Sequence, residues 1–198
     1  MRNGKRLCTE LAMISLPIWF WVVAAVLLFW AVGAYNRLVR LRAAIKLSFA
    51  SVEAHIRQRD ALLAQWLSAC TVALGDGADS TEVHVINAVR GACVQVMAAV
   101  DHARATPSDA QAIASLRLAE EVLIGARGRL STELAAHARS NLAWDTVMQT
   151  DELAAVDGTL GFARGQFNEA AQLYNDAAMQ FPTWIVAGLF GFRAAGVL

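Results

Sequence analysis

Cysteine, proline and tyrosine are scarce in this chain of 198 residues, which has three, three and two of them. Cys8, Cys70 and Cys93 lie far apart, form no C-x-x-C pair and have no histidine at metal-ligand spacing, which excludes a disulfide framework. Cys70 and Cys93 fall in apolar helical stripes, where a free cysteine serves as a small hydrophobe. Three prolines and 13 glycines are too few for a turn-rich all-β fold or a disordered chain. Net charge is lacking as well: 17 basic and 17 acidic side chains cancel, so nothing selects nucleic acid or another polyanion as partner. The composition is 57% apolar and 17% charged, which fits one mostly helical domain plus a membrane segment.

Signatures of chemistry are missing too. The sequence has no phosphate loop, nucleophile elbow or zinc-protease helix. A di-iron bundle requires Glu-x-x-His on two helices, and the chain has none. Glu133 and His137 stand one helical turn apart and read as an exposed i, i+4 pair; a metal-dependent bundle enzyme built on them is the alternative. His55, His84 and His102 are scattered and read as surface or boundary residues. Glu120 and Glu121 are neighbours in sequence and point to different faces, which makes them poor candidates for a paired acid and base. No catalytic, cofactor-binding or metal-binding residue is assigned, and no cofactor is expected.

What the chain does have is a run over residues 11–34 without a single charge. As a helix it reaches about 36 Å, enough to cross the hydrocarbon core. Trp19 and Trp21 toward one end and Trp30 and Tyr35 toward the other sit where interfacial rings are favoured. A cleaved signal peptide competes, because Arg2, Lys5 and Arg6 precede the run and Ala31-Val32-Gly33 resembles a cleavage site. The run is longer than a usual signal core and continuous with the helix after it, so the anchor is the reading taken. Arg2, Lys5 and Arg6 on one side nearly balance Arg37, Arg40, Arg42 and Lys46 on the other. The body is placed on the cytoplasmic side, with the opposite orientation left open.

Beyond the anchor, Leu38, Ile45, Phe49, Val52, Ile56, Leu63, Trp66, Cys70 and Ala73 recur at alternating steps of three and four, interrupted by Arg42 and Arg59. Arg42, near the membrane, can snorkel to water, and Arg59 is the candidate for an interhelical ion pair. A turn over residues 75–81 follows, with Asp79 or Ser80 as cap and Glu82 at the box position. Helix two carries Ile86, Val89, Cys93, Val96 and Val100 and ends before Ala105-Thr106-Pro107. Ser108 is expected to cap helix three, which carries Ile113, Leu116, Leu123, Leu130 and Leu134. Residues 141–150 read as a kink or connection. Helix four then carries Leu153, Val156, Leu160, Ala163, Phe167, Ala170, Tyr174, Ala177 and Phe181, and Pro182 stops it.

The expected fold is therefore all-α: an N-terminal transmembrane helix continuing into an antiparallel up-down bundle of about four long helices. The chain divides into a basic tail (1–10), the anchor (11–34), the bundle (35–181) and an apolar C-terminal segment (182–198). An even number of body helices returns the chain to its starting level, so residues 184–192 are expected beside the start of helix one, against lipid or capping the bundle. Gly188 and Gly191 are expected to let the backbone turn closely there.

Two blocks carry a resemblance. In residues 35–63 they are Tyr35-Asn36, Leu38-Val39 and the basic pair Arg57 and Arg59 followed by Asp60-Ala61-Leu62-Leu63. In residues 162–192 they are Phe162-Ala163-Arg164, Tyr174-Asn175, Phe181-Pro182 and Ala187-Gly188-Leu189-Phe190-Gly191-Phe192. These residues resemble the LemA proteins, a family of bacterial membrane-anchored helical proteins. Leu62-Leu63-Ala64-Gln65 stands where the family usually has a proline turn, and Thr183-Trp184-Ile185 where it has Ser-Asn-Leu, which makes this a divergent member. The resemblance implies a long-helix bundle behind an anchor in the bacterial inner membrane, without established catalytic residues. The expected function is a non-enzymatic single-pass scaffold or adaptor that meets the bilayer and a membrane or envelope protein. Self-assembly into a homo-oligomer through surplus apolar residues such as Trp66, Trp144 and Trp184 is the alternative.

Overall fold

The computed structural model describes residues 4–74, 80–137 and 144–198, with side chains described over 18–72, 81–134 and 151–198. Five helices follow in order: α1 (Gly4–Leu74), α2 (Ser80–Ala105), α3 (Ala110–His137), α4 (Trp144–Met179) and the short α5 (Thr183–Leu189). No strand occurs among the described residues. The expected all-α architecture is the one observed. The cap over residues 75–79 lies outside the described residues, as do the side chains of Ala73, Ser80, His137 and Trp144.

α1 is a single helix of 71 residues. Its first described side chains are apolar and exposed, from Ile18, Trp19, Phe20 and Trp21 to Leu28, Phe29 and Val32. It is long and apolar enough to cross a membrane. From Ala34 onward the same helix turns a seam inward: Leu38, Ile45, Phe49, Val52, Ile56, Leu63, Trp66 and Cys70 are all buried. α2 passes the same length and composition test, yet its stripe of Ile86, Val89, Ala92, Val96 and Val100 is buried in the bundle.

α1 packs most closely on α4, and α2 on α3, with α2 also against α1. Cross-helix pairs fix the directions. Arg57 meets Asp101 and Glu53 meets Arg104, so α1 and α2 run antiparallel. Arg127 meets Asp157 while Glu120 meets Arg164, so α3 and α4 do too. The rings of Phe49 and Phe167 sit 5.8 Å apart at the α1–α4 contact. The bundle is therefore up-down, and α5 closes onto both α1 and α4.

Several local expectations are corrected. Asp109, not Ser108, caps α3: its Oδ2 accepts the Ala112 amide at 3.2 Å, while the Ser108 hydroxyl accepts Arg42 Nε at 3.1 Å. The turn after Pro107 places the carboxylate at the cap position, where its charge also suits the helix dipole. α4 begins at Trp144 rather than after residue 150. In α2 it is Ala92 that is buried at the seam and Cys93 that is half-buried; in α4 the seam moves from Ala170 to Ala171. A 3.6-residue helix drifts against a strict seven-residue pattern, and such one-residue steps absorb the drift. Phe181 lies past the end of α4 and is 76% exposed. Trp66 is buried, so it offers no surface for self-assembly.

Candidate functional site

Two constructions stand out, one in the middle of the bundle and one at the end nearest the exposed apolar run of α1. In the middle, Arg59 occupies a seam position of α1 and is only 3% exposed. Its Nη1 and Nη2 donate to the two carboxylate oxygens of Glu120 at 2.9 and 2.5 Å, a bidentate pair between α1 and α3. Glu120 also accepts Arg164 Nη2 from α4 at 2.6 Å. Asp157, one α4 turn-pair away, lies 3.8 Å from Arg59 and accepts Arg127 Nη1 at 2.9 Å. Arg59 thus has the interhelical partner expected of it, and the cluster ties three helices together at one level.

Glu120 is not among the residues expected at a site, because its neighbour Glu121 makes it resemble one half of a solvated acidic pair. Its spacing is the signal: it sits four residues after Leu116 and three before Leu123, on the seam itself. Asp60 faces the neighbouring α1–α2 side, where burial first, and then the Asp60 carboxylate, push the Cys93 thiol up to about 11. Arg57 pairs with Glu53 and Asp101 near the surface, which holds its guanidinium above its ordinary value. Among the described residues, no group of three or more His, Cys, Asp and Glu is placed to hold a metal ion.

The second construction is the return of the C-terminus. α5 turns Thr183, Val186 and Ala187 inward and leaves Trp184, Ile185, Leu189 and Phe190 exposed. It ends on a Schellman-type turn: Phe192 N–H donates to Ala187 O at 2.9 Å, across Gly191 at φ +68. A side chain is strained there, which explains the glycine. Gly188 has open space around it, and no close approach accounts for that glycine. The Phe190 and Phe192 rings lie 5.0 and 5.7 Å from that of Tyr35, the residue following the apolar run. Beside them a cleft of about 480 Å³ is lined by Tyr35, Val39, Arg42, Ala43, Lys46, Phe190 and Phe192.

After Phe192 the chain runs extended along α4. Buried Tyr174 donates its hydroxyl to Arg193 O at 3.0 Å, and burial raises its pKa. The Asn175 carboxamide accepts the Ala195 amide at 2.7 Å and donates to its carbonyl at 3.0 Å. Asn168 does the same to Leu198, at 2.8 Å in both directions.

Several of the residues singled out in the sequence gather in these two places, while Arg57 and Asp60 lie on the α1–α2 side. Arg59 and Arg164 meet at Glu120, while Tyr35, Tyr174, Asn175, Phe190, Gly191 and Phe192 build the C-terminal return. Phe181 and Pro182 form the corner between α4 and α5, and Asn36 is exposed. No curated protein matches the chain. A family model described as the LemA family matches residues 80–198, which takes in the middle helices as well as the C-terminal block and leaves out the block over residues 35–63. With more than half of the chain matched, from the start of α2 through the docked tail, the protein belongs to the LemA family.

Proposed function

We propose that this protein is a non-enzymatic, single-pass membrane adaptor whose helical body presents its outer faces to another membrane or envelope protein. One observation carries the reading: the exposed apolar segment and the helix that organises the core are the same uninterrupted α1. Exposed apolar side chains on the body, Leu118 and Val122 one turn apart on α3 and Phe162 on α4, supply contact area of the kind a partner covers. The exposed face of α5 lies level with Tyr35, where headgroups would meet it. We place the anchor in the bacterial inner membrane with the body on the cytoplasmic side.

The test is crosslinking in native membranes with a photoreactive residue at position 118, 162 or 184. Positions 118 and 162 should give a protein adduct of one defined mass, and position 184 adducts with lipid. Adducts of the chain with itself alone would replace the adaptor by a homo-oligomer. Release of the full chain by alkaline carbonate would refute the anchor.

A further inference from the structure

The backbones of α3 and α4 stay more than 8 Å apart, Cα to Cα, throughout their described residues. At the anchor-proximal end the space between them is filled by the chain's own residues 193–198. A Cβ built on Gly196 would come within 2.9 Å of Ala110 Cα and Ile113 Cβ of α3, while Asn168 and Asn175 of α4 grip the chain on either side of it. The two asparagines are seven residues apart, about 10.5 Å along a helix. Ala195 and Leu198 are three residues apart, about 10 Å along an extended chain. The lengths match, so two carboxamides on one helix face hold the N–H and C=O of two residues, three apart, in an antiparallel segment.

We propose that this slot is a receptor site for an extended, glycine-bearing peptide segment of a partner protein, and that the tail is a ligand held there in cis. Recognition is by main chain, with one strict side-chain requirement: no Cβ at the register of Gly196. A small residue before the glycine is accommodated where Ala195 is buried, and the side chain after it, Val197, points to solvent. The tail is held by the two carboxamide grips, by the Tyr174 hydroxyl on Arg193 O and by one buried side chain, Ala195; a partner segment that repeats these main-chain contacts competes for the same slot. The proposal names the partner chemistry of the adaptor reading and rests on that reading for its biological use. Its test needs no membrane, so its failure leaves the crosslinks at positions 118 and 162 untouched.

The experiment uses the full chain in detergent and the end-blocked hexapeptide Arg-Ala-Ala-Gly-Val-Leu, labelled for fluorescence anisotropy. Gly196→Val expels the cis tail, because backbone stands on one side of the glycine. That variant should bind the peptide at least tenfold more tightly than the wild type, whose tail competes at a high effective concentration. Replacing the peptide's glycine by valine, or adding Asn168→Leu and Asn175→Leu to the variant, should abolish binding. Where Gly196→Val loses helix content, hydrogen exchange on the wild type replaces it: millimolar peptide should remove protection of the Ala195 and Leu198 amides. No binding by the folded variant, or unchanged protection in the wild type, overturns the proposal. Crosslinks from position 197 of one isotope-labelled copy to α3 or α4 of an unlabelled copy would assign the slot to a second copy and overturn the partner reading.

Discussion

Removing the carboxylate of Glu120 should be among the most damaging single substitutions in the bundle. Glu120→Ala takes away the two carboxylate oxygens that accept from a guanidinium that is 3% exposed, and with them the acceptor of Arg164 Nη2. Breaking a buried pair by deleting one member costs roughly 3–5 kcal/mol, because the other charge stays in a low dielectric. Asp157 remains 3.8 Å from Arg59, and Arg164 is partly exposed and can turn to water. The expected loss is therefore near the lower end, about 3 kcal/mol. With an m-value of about 2 kcal/mol/M, the urea midpoint of the full chain in detergent, followed by far-UV circular dichroism, should fall by about 1.5 M. The double variant Arg59→Met, Glu120→Leu removes the charge with its partner and should lie well above Glu120→Ala in stability. The internal control is Arg57–Asp101, whose side chains are 40% and 63% exposed; Asp101→Ala should cost less than about 1 kcal/mol. If Glu120→Ala costs no more than Asp101→Ala, the cluster does not hold the three helices together and the reasoning fails.

Other expectations are smaller. Burial pushes the Cys70 and Cys93 thiols from their ordinary 9.0 up to about 11, so each should carry about a hundredfold less thiolate than an unfolded cysteine near pH 8 and alkylate correspondingly slowly, read site by site by mass spectrometry. The same shift has a stability consequence with a definite sign. It leaves stability unchanged below about pH 9 and removes it as the pH rises toward 11, because the unfolded thiols ionise first; replacing both cysteines with valine should flatten that decline in urea midpoints. Gly191→Ala should cost about 1–2 kcal/mol through its φ of +68 alone, whereas Gly188→Ala, in open helical space, should be neutral or stabilising; equal effects in thermal melts would contradict the Schellman turn. Asp109→Ala should cost about 1 kcal/mol as a lost cap and more than Ser108→Ala, and the reverse order would restore Ser108 as the cap.

The seams of all four long helices were legible because burial imposes a period, and a period survives in the sequence whatever the partner is. Arg59 was legible for the same reason, as a charge where the period demanded an apolar residue. Its partner is harder to see, because the adjacent Glu121 disguises the place of Glu120 on the seam of Leu116 and Leu123. Periodicity carries no information about the tail. Six extended residues have no helical period, and their grip comes from Asn168 and Asn175, two residues on a helix flank that look like ordinary solvated amides. Nothing local in Arg-Ala-Ala-Gly-Val-Leu announces that its glycine is fitted against Ala110, more than eighty positions away. The cap at Asp109 was missed by one residue for a related cause: Ser108 is an equally good capping type, and only its bond to Arg42 shows that it is otherwise engaged.

With the apolar run of α1 seated in a bilayer as proposed, the continuity of that helix also makes the molecule a lever. Its residues beyond the apolar run, 35–74, extend about 60 Å as a helix. Membrane helices lean by about 20° on average, and a rigid rod cannot lean inside the bilayer while standing upright outside it. A change of that size in the anchor's inclination would carry the far end of the bundle, near Trp66 and Cys70, sideways by about 20 Å. Bilayer thickness, which sets how far the anchor must lean, would thereby be converted into the lateral reach of the body.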